Sequence, residues 1–194
     1  MRFRLLAALM AASLLVPALS WAGLPYYNQH FGYTIWLPGG WLEADESVLA
    51  RFALLRDAVV PVQADQEIGY VLASRSAPIC LLVSRLHGRV VSKDDIGNFN
   101  RFVVAGLLRS ARTDGAAPFR LRKANFSESR NMLRLELDGT DPSGRAVVSV
   151  VYIVYTTTGM LRFMGIVPSG DVSGLRTVDE VVSTLYLDHG LRQD

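Results

Sequence analysis

Three histidines and a single cysteine are the residues of this sequence most able to bind a transition metal. His30, His87 and His189 lie far apart in the sequence, and Cys80 has no second cysteine to pair with. Zinc sites are usually marked by paired ligands a few residues apart. Because no such pair occurs, we expect no metal and no other cofactor, although distant histidines could still meet in the folded chain.

Ser173 and Cys80 are the best candidates for nucleophilic catalysis. Ser173 lies in the segment GDVSG (170–174), one position away from the Gly-x-Ser-x-Gly turn of hydrolases, and turn chemistry also explains this composition. Cys80 and His87 lie on one predicted strand, on opposite faces and over ~20 Å apart. The sequence therefore predicts no catalytic residue.

Two groups of residues fit binding better than catalysis. Trp36 is out of phase with the apolar residues of predicted strand 33–37, so it either lies under a helix, which we favour, or stays exposed as an anchor for a partner protein. Arg120 and Arg122 lie in a basic stretch that also contains Arg109, Arg112 and Lys123. That stretch is explained by a solvated loop and sheet edge, with docking of an acidic protein or anionic envelope surface as the alternative.

The N-terminal segment predicts export. Arg2 and Arg4 precede the apolar run Leu5–Leu19, and a Ser-Trp-Ala cleavage signature follows. The run has about 15 residues, fewer than the roughly 20 that a transmembrane helix needs. We expect residues 1–22 to be a signal peptide and the mature protein to be periplasmic or secreted, without stable membrane insertion. An uncleaved N-terminal anchor is the alternative.

The charge of the mature protein argues against nucleic-acid binding. The whole chain has 20 basic and 18 acidic residues, and losing Arg2 and Arg4 leaves 18 of each. A nucleic-acid-binding protein usually gathers a basic excess on one face, and here that excess disappears. The length of 23–194 fits a single domain, which we expect to be monomeric.

Hydrophobic periodicity predicts an α+β fold. Alternating or apolar runs indicate strands, whereas apolar residues at a spacing of three and four indicate helices. The predicted strands are 32–37, 68–73, 79–86, 119–126, 132–138, 146–155 and 160–167, and the predicted helices are about 45–58, about 93–111 and one that starts at Thr177. Thr177 and Glu180 of that last helix have the spacing of a capping box. Short connections between the later strands predict an antiparallel β-sheet flanked by helices.

Two stretches resemble the PsbP-like superfamily, which includes DcrB-like periplasmic proteins. The segment 31–38 with Trp41 resembles the group's opening strand, and the end of the chain is similar, with a strand reaching Pro168 followed by a loop and a final helix. This resemblance implies an α/β/α sandwich around an antiparallel sheet. The group has no shared catalytic residues, so the resemblance assigns no site residue.

The hypothesis that follows is an exported, non-enzymatic protein that binds or assists another envelope protein. It would use an exposed sheet face or the loops at the sheet edge, with Trp36, Arg120 and Arg122 as the possible partner-binding residues. The alternative is a carrier that holds a small molecule or lipid in an apolar pocket. A hydrolase built from residues scattered along the sequence ranks third.

Overall fold

The computed structural model describes residues 23–50, 64–73, 78–86, 90–113, 119–141 and 143–193. The predicted signal peptide, most of the predicted helix 45–58 and His87 lie outside these ranges, although residues 46–50 are helical. The strands are β1 (Leu24–Asn28), β2 (Tyr33–Leu37), β3 (Trp41–Glu43), β4 (Ala64–Leu72), β5 (Ile79–Leu86), β6 (Phe119–Ser127), β7 (Met132–Thr140), β8 (Ala146–Thr156), β9 (Gly159–Pro168) and β10 (Tyr186–Leu187). The helices are α1 (Ile96–Thr113) and α2 (Val172–Ser183).

The strands form two antiparallel sheets. The larger sheet has seven strands in the order β3-β4-β5-β9-β8-β7-β6, and the smaller has three in the order β1-β2-β10. Strands β6 to β9 form a meander because each is joined to the next by a short connection. Strand β5 pairs with β9, the last strand of this meander, and β9 is therefore the middle strand of the larger sheet.

Both faces of the seven-stranded sheet are covered. One face packs against α1 through Phe99, Val103 and Leu107, together with Val48 and Leu49. The other face packs against α2 and the inner side of the three-stranded sheet. Strands β8 and β9 are buried along almost their whole length, as expected for central strands rich in Val, Ile and aromatic residues. The predicted α+β class, an antiparallel sheet flanked by helices, is confirmed.

Helix α2 starts earlier than the capping box predicts. Asp171 is the N-cap residue, and its carboxylate accepts a hydrogen bond from the Gly174 backbone N–H at 2.8 Å. Thr177 lies inside the helix, where its hydroxyl donates to the Ser173 carbonyl at 2.9 Å. The prediction of a helix start at Thr177 was wrong because the Asp171 carboxylate caps the helix further upstream in the sequence.

Helix α2 packs closely on the larger sheet at one glycine. A Cβ atom on Gly165 of β9 would lie 2.5 Å from Val178 Cγ1, so a larger residue at 165 would push the helix away. Val178, Val181 and Val182 are buried in this contact. The helix is therefore held by the apolar stripe that the sequence predicts, even though its start is elsewhere.

A polar cluster also fastens α2 to the meander. Arg134 of β7 donates to both carboxylate oxygens of Asp179 of α2, at 2.8 and 3.0 Å, and it also contacts Glu136. The Tyr152 hydroxyl donates to Asp179 as well. Burial acts to lower the pKa of Arg134, but the hydrogen bonds to Asp179 and Glu136 outweigh it and raise that pKa. This Arg134–Asp179 cluster is an ion-pair network that joins α2 to the larger sheet.

A charged row crosses the centre of the larger sheet. Glu67 of β4, Ser84 of β5 and Arg162 of β9 are cross-strand neighbours. Arg162 is only 1% exposed; its Nε donates to Ser84 Oγ at 3.1 Å and its Nη2 lies 3.9 Å from Glu67 Oε1. A buried guanidinium is tolerated only with such partners, so this row is part of the core.

In the part of the chain that the structure describes, no helix combines the length and the apolar character that a bilayer crossing requires.

Candidate binding surface

The inner face of the three-stranded sheet belongs to the core. Tyr33 and Ile35 of β2 are fully buried, and the Tyr33 ring packs edge-on against Phe163 of the larger sheet with 5.2 Å between centroids. The Tyr33 hydroxyl is 2.9 Å from the Tyr70 hydroxyl, and burial raises the pKa of both phenols. This face fixes the small sheet rigidly onto the molecule.

The outer face of the same sheet carries three exposed aromatic side chains. Tyr27 of β1 and Tyr186 of β10 are both paired with Thr34 of β2, and Trp36 is the next outward residue along β2. Alternation along a strand puts all three side chains on one face. Tyr27, Trp36 and Tyr186 are 54%, 41% and 44% exposed. These three residues are called the aromatic face below.

The structure decides between the two environments that the sequence allowed for Trp36. It is exposed, so the preferred expectation of a residue covered by a helix was wrong. The reason is that α2 ends at Ser183, and Thr184 just beyond it accepts a hydrogen bond from the Trp36 backbone N–H at 2.9 Å. The helix terminus therefore contacts the edge of the strand and leaves the indole uncovered. A role for Trp36 in binding a partner stays a prediction.

Polar groups surround the aromatic face and hold its rings. The Tyr27 hydroxyl donates to Asp188 at 3.1 Å, and this hydrogen bond raises the pKa of Tyr27. The Arg192 guanidinium lies 4.0 Å from the Tyr186 ring centroid, while its Nε donates to the Leu187 carbonyl at 3.0 Å. These contacts restrict the orientations of the Tyr27 and Tyr186 rings.

A groove of about 300 Å³ adjoins the aromatic face. It lies between the segment 129–132, the end of α2 and β10. Its floor is apolar, with Met132, Val154 and Val182, and Arg130 and Arg192 line it as well. Tyr186 belongs both to this groove and to the aromatic face. The two features are therefore continuous.

A second groove of about 670 Å³ lies between the edges of the two sheets, where β1 passes β3. Tyr26, Leu37, Trp41 and Leu42 line it, with Glu43 as its charged residue. The Trp41 indole N–H is buried and finds no hydrogen-bond partner among the described residues. Size and apolar lining alone do not name a ligand for this groove.

Arg120 and Arg122 lie in a different part of the molecule from Trp36. They belong to β6, the edge strand of the larger sheet, with side chains 80% and 53% exposed. Both face Asp138 of β7, at 3.9 and 3.7 Å, and the register shifts between Leu121 and Lys123. Charged residues and irregular pairing at an edge strand discourage pairing with other chains. The structure therefore brings the two arginines together, but not with Trp36.

The residues considered for catalysis do not assemble into a site within the described ranges. Ser173 Oγ donates to Asp171 Oδ1 at 2.9 Å in the first turn of α2, where the same carboxylate caps the helix. Cys80 is fully buried, and burial with the nearby Glu67 charge raises its pKa to about 12. Within the ranges that the structure describes, no group of three or more His, Cys, Asp or Glu side chains is placed to hold a metal.

Sequence reasoning missed two members of the aromatic face. Tyr186 lies in a two-residue strand that pairs with β2, more than a hundred residues earlier in the chain. Tyr27 lies in β1, for which no strand was predicted. The density of aromatic residues between Tyr26 and Trp41 was the one available signal, and it does not separate inward from outward rings.

Comparisons with known proteins give likenesses of fold. No family model matches the chain, and no curated protein matches it. The structure is similar to that of PsbP (CyanoP) from Synechocystis sp. PCC 6803, with 12% identity over 86% of this chain and 92% of that chain, and a TM-score of 0.49. LpqN, involved in cell envelope biogenesis of Mycobacterium tuberculosis, gives 12% identity over 87% and 91%, with a TM-score of 0.49. A Bacteroides thetaiotaomicron VPI-5482 protein gives 12% over 89% of this chain and 50% of its own, with a TM-score of 0.46. The first of these structures bears the name of the PsbP-like group that the sequence resembles.

Proposed function

We propose that this chain is an exported, non-enzymatic accessory protein that binds another protein through the aromatic face. Trp, Tyr and Arg are the residues that most often dominate the energy of protein interfaces. Tyr27, Trp36 and Tyr186 are three such residues on one outward surface, with Arg192 against Tyr186. This clustering of exposed aromatic side chains on a sheet whose other face is core is the observation that carries the proposal.

The place of action in this proposal is outside the cytoplasm, in the periplasm or secreted. It rests on the predicted signal peptide at residues 1–22. The predicted mature protein has equal numbers of acidic and basic residues, so apolar contact at a defined face suits it better than long-range attraction of a charged partner. The partner itself is expected to offer an apolar surface with acceptors for the tyrosine hydroxyls.

Co-purification from cells tests this proposal. The tagged full chain is expressed in cells that export it, mildly crosslinked, and recovered with its bound proteins. Trp36→Ser and Tyr186→Ser should each remove one specific protein from the recovered set, because truncating an anchor residue at an interface commonly costs about 2 kcal/mol or more.

Phe102→Ser is the matched control. Phe102 lies on α1 and is 67% exposed, so its substitution removes a similar apolar area from a surface outside the aromatic face. This control should leave the recovered protein unchanged. Equal loss in all three variants, or recovery unaffected by any of them, would refute the assignment of the aromatic face.

A further inference from the structure

We propose that the groove next to the aromatic face binds a small amphiphilic anion. Its charged head, a carboxylate or a monoester phosphate, would lie between Arg130 and Arg192, and its apolar tail would lie over Met132, Val182 and Leu185. This site goes beyond the proposed protein-binding function, because it uses a concave surface and a different chemistry.

The charge of the groove favours an anion. Arg130 and Arg192 both line it, and none of its lining residues is acidic. No ion pair of either arginine is found within the described residues. The Arg192 guanidinium is oriented by its bond to the Leu187 carbonyl and by the Tyr186 ring, which leaves further N–H groups able to donate. A guanidinium fixed in this way is well suited to bind a carboxylate or phosphate in a bidentate manner.

The floor of the groove favours an apolar tail. Met132, Val154 and Val182 are buried members of the core, and Leu185 and Leu187 pack against them as half-buried side chains. Ser129 and Ser183 contribute hydroxyl groups to the lining. An apolar surface with a few placed polar groups is the usual composition of a small-molecule site. An inorganic anion would leave this floor in contact with water, so the amphiphile fits better.

The size of the groove limits the ligand. A volume of about 300 Å³ lies at the lower end of the range for ligand sites, roughly 300–1,000 Å³. It corresponds to about ten water molecules of liquid volume, so a single chain of about ten carbons is the expected scale. A two-chain phospholipid would not fit inside it.

Calorimetric titration of the purified mature protein tests the proposal. The probes are sodium decanoate and monodecyl phosphate, each below its micellar concentration, with decyltrimethylammonium as the probe of opposite charge. Both anions, or one of them, should bind saturably, and the better anion identifies the head group. Shortening its tail should weaken binding about fourfold for each methylene removed, the equivalent of about 0.8 kcal/mol.

Two pairs of substitutions separate a built site from general attraction. Arg130→Gln with Arg192→Gln should weaken binding at least tenfold, whereas Arg120→Gln with Arg122→Gln removes the same charge from β6 and should change it less than twofold. Arg130 is exposed, so Arg130→Gln alone serves if the double variant fails to fold. Equal weakening by both pairs, tighter binding of the cationic probe, or no saturable binding of either anion would overturn the proposal.

These titrations are independent of the partner experiment. They use the purified protein with a defined small molecule, whereas the proposed function depends on a second protein recovered from cells. A negative titration with a positive recovery would remove the anion site and leave the aromatic face assignment intact.

Discussion

The two sheets of this protein differ in how far their large side chains are buried. The seven-stranded sheet is covered on both faces, so even Arg162 is 1% exposed and is held by polar partners inside the core. The three-stranded sheet is covered on one face only. Its inner Tyr33 is fully buried, while Trp36 on the same strand is 41% exposed.

This contrast separates the substitutions that should affect folding from those that should affect the proposed binding. Residues enclosed by both layers contribute to stability through burial and satisfied polar contacts. The side chains of the aromatic face are only partly buried, so they leave apolar surface exposed to solvent. If the outer face were part of the core, substitutions at Tyr33 and at Trp36 would lower the free energy of unfolding by similar amounts.

The largest effect should come from the buried charge of the larger sheet. Arg162→Ala should lower the free energy of unfolding by about 3–5 kcal/mol, because it removes one member of a buried ion pair. Urea unfolding measures this change. Arg120→Ala on the exposed edge strand should change stability by about 0.5 kcal/mol or less.

Adding Glu67→Gln to Arg162→Ala sharpens this prediction. The second substitution removes the negative charge that Arg162 faces in the wild-type protein, so the double variant should be more stable than Arg162→Ala alone. A double variant that is less stable than the single one would show that the charge of Glu67 is not the source of the loss.

The Arg134–Asp179 cluster should rank second. Asp179→Ala removes both hydrogen bonds from Arg134 and the one from Tyr152, and we expect a loss of about 2 kcal/mol in unfolding free energy. The neighbouring exposed residue Glu180 provides the control, since Glu180→Ala should cost about 0.5 kcal/mol or less. Similar losses in both variants would mean that the Arg134–Asp179 cluster does not hold α2 on the sheet.

A smaller effect should appear at high pH. The pKa of Cys80 is raised from 9.0 to about 12 in the folded protein, so the unfolded chain loses this proton first. The contribution of the neutral Cys80 thiol to the free energy of unfolding is therefore fully present below pH 9. It is lost as the pH rises from 9 towards 12. Between pH 8 and pH 10 the expected loss is about 1 kcal/mol, and Cys80→Ala should remove this part of the pH dependence. An identical pH dependence with and without the thiol would contradict the burial of Cys80.

Much of the larger sheet could be predicted because its signals are local. Strand β5 was predicted as 79–86 and is Ile79–Leu86, because its apolar run begins directly after Pro78. The alternation of Leu133, Leu135 and Leu137 with charged residues likewise predicted β7 and its inward face. Such patterns depend only on neighbours along the chain.

The aromatic face could not be predicted because it depends on distant pairing. Strand β10 has two residues and no periodicity of its own, and it exists through its pairing with Thr34 and Tyr33. The phase of Trp36 correctly indicated the face opposite to Tyr33, but only the position of the α2 terminus decides that this face is uncovered. Competition between Asp171 and Thr177 for the helix cap also needed the folded structure.

The effect on stability should be smallest at the aromatic face itself. Trp36→Ala should lower the unfolding free energy by less than about 1 kcal/mol, whereas Tyr33→Ala should cost about 3–5 kcal/mol, as for other large core residues. Urea unfolding of the two variants measures both losses of unfolding free energy. Comparable losses would mean that Trp36 is part of the core and would undo the contrast between the two faces.

Site-specific photocrosslinking shows whether the aromatic face contacts a partner protein in cells. A benzophenone amino acid is placed at position 36, at position 186, or at the control position 102 of the full chain, and cells are irradiated. The account predicts one discrete protein adduct, common to positions 36 and 186 and lacking at position 102. Adducts of the same pattern from all three positions, or from position 102 alone, would contradict it.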